Sequence, residues 1–177
     1  MLKTKRLIIR SFNVKDAESL YLYAKDKEVG SKAGWNPHKS VEETREIINE
    51  VLMGEYTYAI CLKEDNLAIG AIGLTKDKSD NYELGYWLGR PFWNKGYVTE
   101  AASCLLDFAF NTLKLNGIDC THFEGNDSSK RVMEKLGFKY SYTNKDILWP
   151  ITNEIKTEHH YSLEREEYAK NRNTSNI

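Results

Sequence analysis

The stretch Phe92-Trp93-Asn94-Lys95-Gly96-Tyr97-Val98-Thr99-Glu100-Ala101-Ala102 holds residues whose types and spacing suit chemistry. It reads as a loop ending in glycine, followed at once by an apolar helix. The start of a helix leaves about four backbone N–H groups without intrahelical partners and carries roughly half a positive charge, so a close-fitting loop there accepts an anion. Lys95 adds a cation, and Gly96 removes the side chain that would hold a phosphate off. Gly96 equally suits a plain turn before a core helix. A second stretch, Tyr82 to Leu88, alternates Leu84, Tyr86 and Leu88 against Glu83, Gly85 and Trp87, which makes a strand with two chemically different faces. Glycine inside a strand marks a bulge or a close backbone approach, and Gly85 is such a candidate.

The flanking segments must position these residues. Leu7-Ile8-Ile9 is a short β-rich run. Asn13 and Asp16 resemble a capping box before Ala17, Leu20, Tyr21 and Ala24 at helical spacing, and Ser40 with Glu43 opens a second helix. Between them Asp26 to Lys39 reads as a loop carrying Trp35. Tyr56 to Leu62 and Leu67 to Leu74 form a hairpin over Lys63 to Asn66, and the polar turn Lys76 to Asn81 leads into the Tyr82 strand. After the Gly96 loop, apolar residues from Val98 to Leu113 recur at three and four positions, predicting a mostly buried helix. Ile118 to Phe123 is the next strand. Asn126 to Leu136 is a short helix closed by Gly137, followed by strands at Phe138 to Tyr142 and Glu158 to Leu163. Residues 1–165 make one domain, and the charged, Asn-rich segment 166–177 reads as a flexible tail.

The totals exclude several classes. A chain of 177 residues buries a core without metal or disulfide support, and a formal net charge of -1 points to neither nucleic acid nor an anionic membrane as partner. Cys61, Cys104 and Cys120 are separated and embedded in apolar runs, which suits reduced thiols and a cytoplasmic setting. No run approaches the roughly 20 apolar residues of a membrane span. His38, His122, His159 and His160 show no metal-ligand spacing, so no metal is expected.

Three stretches together resemble the GCN5-related N-acetyltransferase superfamily, nearest its branch that acetylates the amino termini of ribosomal proteins. They are Tyr82 to Leu88, Trp93 to Ala101, and Asn126-Asp127-Ser128-Ser129-Lys130-Arg131-Val132-Met133-Glu134-Lys135-Leu136-Gly137-Phe138. The resemblance covers nearly the whole chain. It implies an α/β fold with a central mixed, mostly antiparallel sheet of about seven strands, flanked by about four helices. The sheet is splayed between the Tyr82 and Ile118 strands, with acetyl-CoA in the opening. The pyrophosphate would lie on backbone amides from Trp93, Asn94, Lys95, Gly96, Tyr97, Val98 and Thr99. The family pattern there is Gln/Arg-x-x-Gly-x-Gly/Ala. Gly96 matches it, while Trp93 replaces the Gln/Arg, Val98 the small residue, and Asn94 a glycine common in this branch. Leu88 would lend its backbone to the pantetheine arm, and an amide at a Gly85 bulge would bind the thioester oxyanion.

The implied reaction is direct acetyl transfer from acetyl-CoA to a primary amine. An α-amino group of pKa about 7.7–8.0 is roughly a tenth neutral near pH 7, while a lysine near 10.4 is neutral less than one part in a thousand. An α-amino acceptor on a protein or peptide thus needs only a modest base, and Glu83 is the best-placed carboxylate, as base or as ammonium binder. Many relatives use a tyrosine as acid where this chain has Met133; the resemblance to the ribosomal branch assigns that role to Ser129, one turn earlier on the same helical face. Asn126 would both cap its helix and touch pantetheine, and Trp35, Glu83 and Tyr86 would meet the acceptor. Lys130, Arg131 and Lys135 read as a solvated face. Alternatives are acetylation of a small amine such as a polyamine or antibiotic, and a non-catalytic CoA sensor or scaffold. The chain would act as monomer or homodimer.

Overall fold

Strand β4 (Ala68–Lys76) lies in the middle of the sheet because Ala68 to Leu74 is an unbroken apolar and glycine run, all of it buried. The computed structural model describes residues 1–77 and 81–174. Around β4 stand β1 (Leu2–Lys3), β2 (Leu7–Arg10), β3 (Thr57–Leu62), β5 (Tyr82–Leu88), β6 (Gly117–Phe123), β7 (Lys139–Trp149) and β8 (Glu154–Glu164). Among the described residues they form one eight-stranded sheet in the order β1-β2-β3-β4-β5-β6-β8-β7. Neighbours are antiparallel except β5 and β6, which run parallel through the pairs Tyr82↔Ile118 and Glu83↔Asp119. Residues 78–80 of the expected turn and 175–177 of the expected tail lie outside the described residues.

Helices cover both faces. On one, α4 (Tyr97–Asn111) and α5 (Asp127–Leu136) bury Ala101, Ala102, Leu105, Leu106, Phe110 and Met133 against Leu84, Leu88, Ile118 and Cys120 of the sheet. On the other, α1 (Ala17–Ala24) and α3 (Val41–Ile47) enclose a second cluster of Phe12, Ala17, Leu20, Ile48, Ala59, Cys61, Ala68 and Ala71. The expected caps form. Asn13 and Asp16 make a reciprocal capping box, Ser40 accepts from the Glu43 N–H, and Gly137 ends α5 in the left-handed conformation.

The chain departs from the sequence expectations in several places, among them an eighth, two-residue strand, β1. Part of the Asp26 to Lys39 segment is a helix, α2 (Lys27–Ala33), capped by Asp26 and ended by Gly34 at φ 82°. It lacks a long apolar stripe, so periodicity does not mark it. The last two strands are 11 residues each, longer than expected; the added pairs, such as Ile147↔Lys156 and Trp149↔Glu154, contain no buried residue, so no buried apolar alternation marks them in the sequence. No bulge interrupts β5 at Gly85: the β4–β5 register is regular from Gly70↔Leu88 to Lys76↔Tyr82.

Finally, residues 165–174 are a helix, α6, rather than the start of a tail. Tyr168 is buried, stacks on Phe110 at 4.8 Å and donates its hydroxyl to Asp107 Oδ1 at 2.6 Å. One buried aromatic in a charged segment is too sparse a pattern to read from sequence. Tyr168→Ala is expected to destabilise the fold by about 3 kcal/mol, the range for truncating a buried aromatic. Urea denaturation checks this, and an unchanged midpoint would return the segment to a passive appendage.

Candidate active site

The site is built where β5 and β6 stop pairing. Past Glu83↔Asp119 the two strands diverge, so the rest of β5 presents backbone to an opening rather than to a neighbour. The ladder decides which groups face it. Gly89 N–H donates to Ile69 O and Leu74 N–H to Tyr56 O, so odd-numbered β5 residues bond β4 and even-numbered ones turn toward β6. The Tyr86 and Leu88 amides therefore face the opening, and the Gly85 amide faces β4. The Leu88 carbonyl accepts Trp93 Nε1 at 2.7 Å, and the Leu84 carbonyl accepts the Cys120 thiol at 3.2 Å.

Side chains divide by the same alternation. On the α1–α3 face, Glu83 accepts from Thr121 Oγ1 at 2.6 Å, and Trp87 meets Trp35 edge-on at 5.3 Å. A Cβ added to Gly85 would have nothing within 4 Å, so this glycine leaves a gap between Glu83 and Trp87. Nearby, Trp149 from the β7–β8 hairpin crosses to donate to the Gly34 carbonyl at 2.6 Å and packs edge-on against Phe123. Trp35 thus packs on the sheet beside the gap. Asp119 and Thr121, which the sequence reading passed over, sit on this face; the alternation Asp119, Thr121, Phe123 against Ile118, Cys120, His122 was the available signal. Burial, reinforced by the charge of Glu83, raises the Asp119 carboxyl above its ordinary range.

Tyr86 goes the other way. Its ring enters the α4–α5 face, where the hydroxyl lies 2.7 Å from Ser129 Oγ and 3.3 Å from the Ser129 carbonyl. It does not join Trp35 and Glu83, because period-two alternation separates neighbours on a strand. Asn126 caps α5, its Oδ1 accepting from the Ser129 N–H at 3.3 Å, while its Nδ2 donates to Lys32 O at 3.2 Å.

At the far end of β5 the Trp93 to Thr99 loop turns into α4. Asn94 and Gly96 both have left-handed backbone, φ 59° and 76°, a conformation that asparagine tolerates better than other side chains. Gly96 provides no side-chain cap, and the first helical bond recorded at this turn runs from the Glu100 N–H to the Gly96 carbonyl. The amides of Gly96, Tyr97, Val98 and Thr99 are thereby left as the orphan donors of the helix start. Val98 is partly buried against the main core. Trp93, tethered to Leu88 and covered by Lys32 Nζ at 4.5 Å, anchors the loop to β5.

The sequence pattern described as the Acetyltransferase (GNAT) domain matches residues 6–139. The chain belongs to this family. The acetyltransferase is 30% identical over 168 residues to the uncharacterized N-acetyltransferase YnaD of Bacillus subtilis (strain 168), covering 93% of this chain and 97% of that protein. A GNAT-family acetyltransferase structure from Bacillus anthracis superposes with TM-score 0.84 at 33% identity, covering 94% of this chain and 99% of that one. The spermidine N-acetyltransferase of Vibrio cholerae, solved with CoA and spermine, superposes with TM-score 0.77 at 16% identity over 92% and 98% of the two chains, a likeness of fold alone.

As a member of this family the acetyltransferase uses acetyl-CoA as donor. Orphan amides over a left-handed Asn94 and Gly96 fit a phosphate group, and the open β5 edge fits an extended arm. Burial pushes the Cys120 thiol far above its ordinary range, so it is not a thiolate at neutral pH and is a poor acyl carrier. A cavity of about 610 Å3 between α5 and the β7–β8 hairpin, lined by His122, Asp127, Lys130 and His159 among others, contains none of these site residues.

A brace from β1–β2 holds the loop. Arg6 pairs with Glu100 at 2.7 Å, donates to the Lys95 carbonyl at 2.9 Å and lies 4.3 Å over the Tyr97 ring, and Thr4 Oγ1 donates to Glu100 at 2.6 Å. Burial alone would raise the Glu100 carboxyl, but the Thr4 hydroxyl and the Arg6 N–H and guanidinium outweigh it and hold the pKa below its usual value. A depressed folded pKa contributes stability above the unfolded value of about 4.3 that is lost as pH falls toward the folded one. Glu100→Gln should therefore lower the thermal midpoint at pH 7 and approach wild type only once the pH has fallen through that depressed folded pKa. Parallel melting curves at pH 7 and below that pKa would refute this if the gap persisted in acid.

Proposed function

We propose that this acetyltransferase transfers the acetyl group directly from acetyl-CoA to the α-amino group of a protein or peptide. The observation that carries the reading is the splay of β5 from β6, with orphan loop amides at one end and the gap at Gly85 on the opposite face of the sheet. In this reading the Gly96 loop holds the pyrophosphate. Leu88 flanks the pantetheine arm through its backbone. The Tyr86 N–H replaces the Gly85 amide as donor to the oxyanion that forms when nitrogen attacks the carbonyl carbon. The acceptor enters beside Gly85, between Glu83 and the Trp35–Trp87 pair.

Proton demand supports an α-amino acceptor. Glu83 accepts from Thr121, and an amine already part neutral near pH 7 asks less of any base than one near 10.4. Ser129 is assigned as the group that meets the leaving sulfur, since Met133 has no proton to give. A second reading, a small polyamine acceptor, draws on the pairing of Glu83 with the second carboxylate Asp119 across the strands, and on the fold shared with the spermidine enzyme.

Free-thiol release from acetyl-CoA, measured across peptides with free amino termini and across spermidine and spermine, separates the two. Peptide turnover is expected to dominate, and turnover confined to the polyamines would replace the first reading by the second. Two variants test the geometry within the same assay. Gly85→Val fills the gap with a good strand former, and should raise the acceptor KM more than tenfold with acetyl-CoA affinity unchanged. Gly96→Val forces a β-branched residue into a left-handed turn beside the amides, and should weaken CoA binding more than tenfold. Unchanged constants in either case would remove the corresponding half of the site.

A further inference from the structure

The wedge contains a hydroxyl pair that the proposed chemistry uses only in part. Ser129 sits on the first turn of α5, with its N–H held by the Asn126 carbonyl at 3.1 Å and by Asn126 Oδ1, so its main chain is fixed. Its hydroxyl rotor is not fixed by those bonds. The partner is Tyr86, which reaches across from β5 and places its hydroxyl 2.7 Å from Ser129 Oγ. Burial, with Cys120 as neighbour, holds the phenol well above its ordinary 10, so Tyr86 keeps its proton throughout the working pH range. Ser129 Oγ at 2.7 Å lies nearer the Tyr86 hydroxyl than the Ser129 carbonyl at 3.3 Å, and either hydroxyl can donate across that shorter contact.

We propose that Tyr86 is a positioning residue for Ser129: its hydroxyl donates to Ser129 Oγ and thereby frees the Ser129 proton to point at the sulfur of the thioester. This rests on the assignment of Ser129 above. If the two hydroxyls were bonded the other way, the Ser129 proton would be spent on Tyr86 and the sulfur would meet only lone pairs. During transfer the N–C bond forms and the C–S bond breaks, leaving its electron pair on sulfur. Ser129 O–H donates a hydrogen bond to that thiolate. The proton nitrogen sheds balances the one sulfur finally holds, so no oxidant or reductant enters. The position usually filled by a helix tyrosine is the buried Met133; here a tyrosine from the strand approaches the neighbouring turn instead.

The test is a double-mutant cycle with acetyl-CoA and the peptide of highest turnover from the acceptor series, using Tyr86→Phe, Ser129→Ala and the pair. Tyr86→Phe keeps the ring and its packing. It is expected to lower kcat about tenfold with the acetyl-CoA KM within threefold, and to add no further loss once Ser129 is alanine, since its effect passes through that hydroxyl. Losses that multiply in the double variant, or a Tyr86→Phe change confined to KM and thermal midpoint, overturn the proposal in favour of a structural role. Ser129→Ala with wild-type kcat overturns the Ser129 assignment and this proposal with it. A Ser129→Ala loss beside a wild-type Tyr86→Phe kcat overturns the pairing alone.

Discussion

Strands β5 and β6 keep parallel register for two residue pairs and then separate, and the rest of the molecule follows from that short pairing. A strand edge inside a sheet is an unfavourable thing to leave open, because each unpaired N–H or C=O shielded from water costs about as much as a lost hydrogen bond. The chain satisfies part of this edge from its own side chains. Trp93 Nε1 and the Cys120 thiol take the Leu88 and Leu84 carbonyls. The amides of Tyr86 and Leu88 are left facing the opening, where an extended ligand can complete the ladder.

Two helices pack on the face of the sheet that carries the splay. Small residues of α4, Ala101, Ala102 and Ala109, let that helix lie close on Leu84 and Leu88, while α5 buries Met133 in the same cluster and sets Ser129 against Tyr86 of β5. The same α4 begins at the loop that Arg6 and Glu100 brace, so one helix both fills the core and presents its amides at the end of the open edge. Support and binding are therefore coupled: changes to the brace act on the loop without touching the strands.

Much of this was legible along the chain. Local signals are strong where a single residue type is demanded by backbone geometry or by an orphan helix donor. Asn13, Ser40, Asn126, Gly96 and Gly137 all mark helix boundaries correctly. The β5 alternation separated Glu83 from Leu84 and Leu88, and that separation holds. Where the reading erred, the deciding contact is distant in sequence. Gly85 suggested a bulge, but a glycine is also what a strand needs where nothing is to occupy the space beside it. Tyr168 lies in a charged segment and is buried only because Phe110 and Asp107 come to it from α4.

By itself, then, the sequence determined most of the elements, the caps of the helices it marked, the glycine loop before α4 and the family, since these rest on propensity, periodicity and motif spacing within about a dozen residues. Only the tertiary structure decided how the wedge is furnished. It turned the Gly85 amide away from the opening, brought Thr121 to Glu83, and set Tyr86 against Ser129, 43 positions away in the chain. The reason is physical: hydrogen-bond direction along a strand depends on which neighbour it pairs with, and partner choice between side chains depends on how far two strands diverge. Neither is encoded in local spacing.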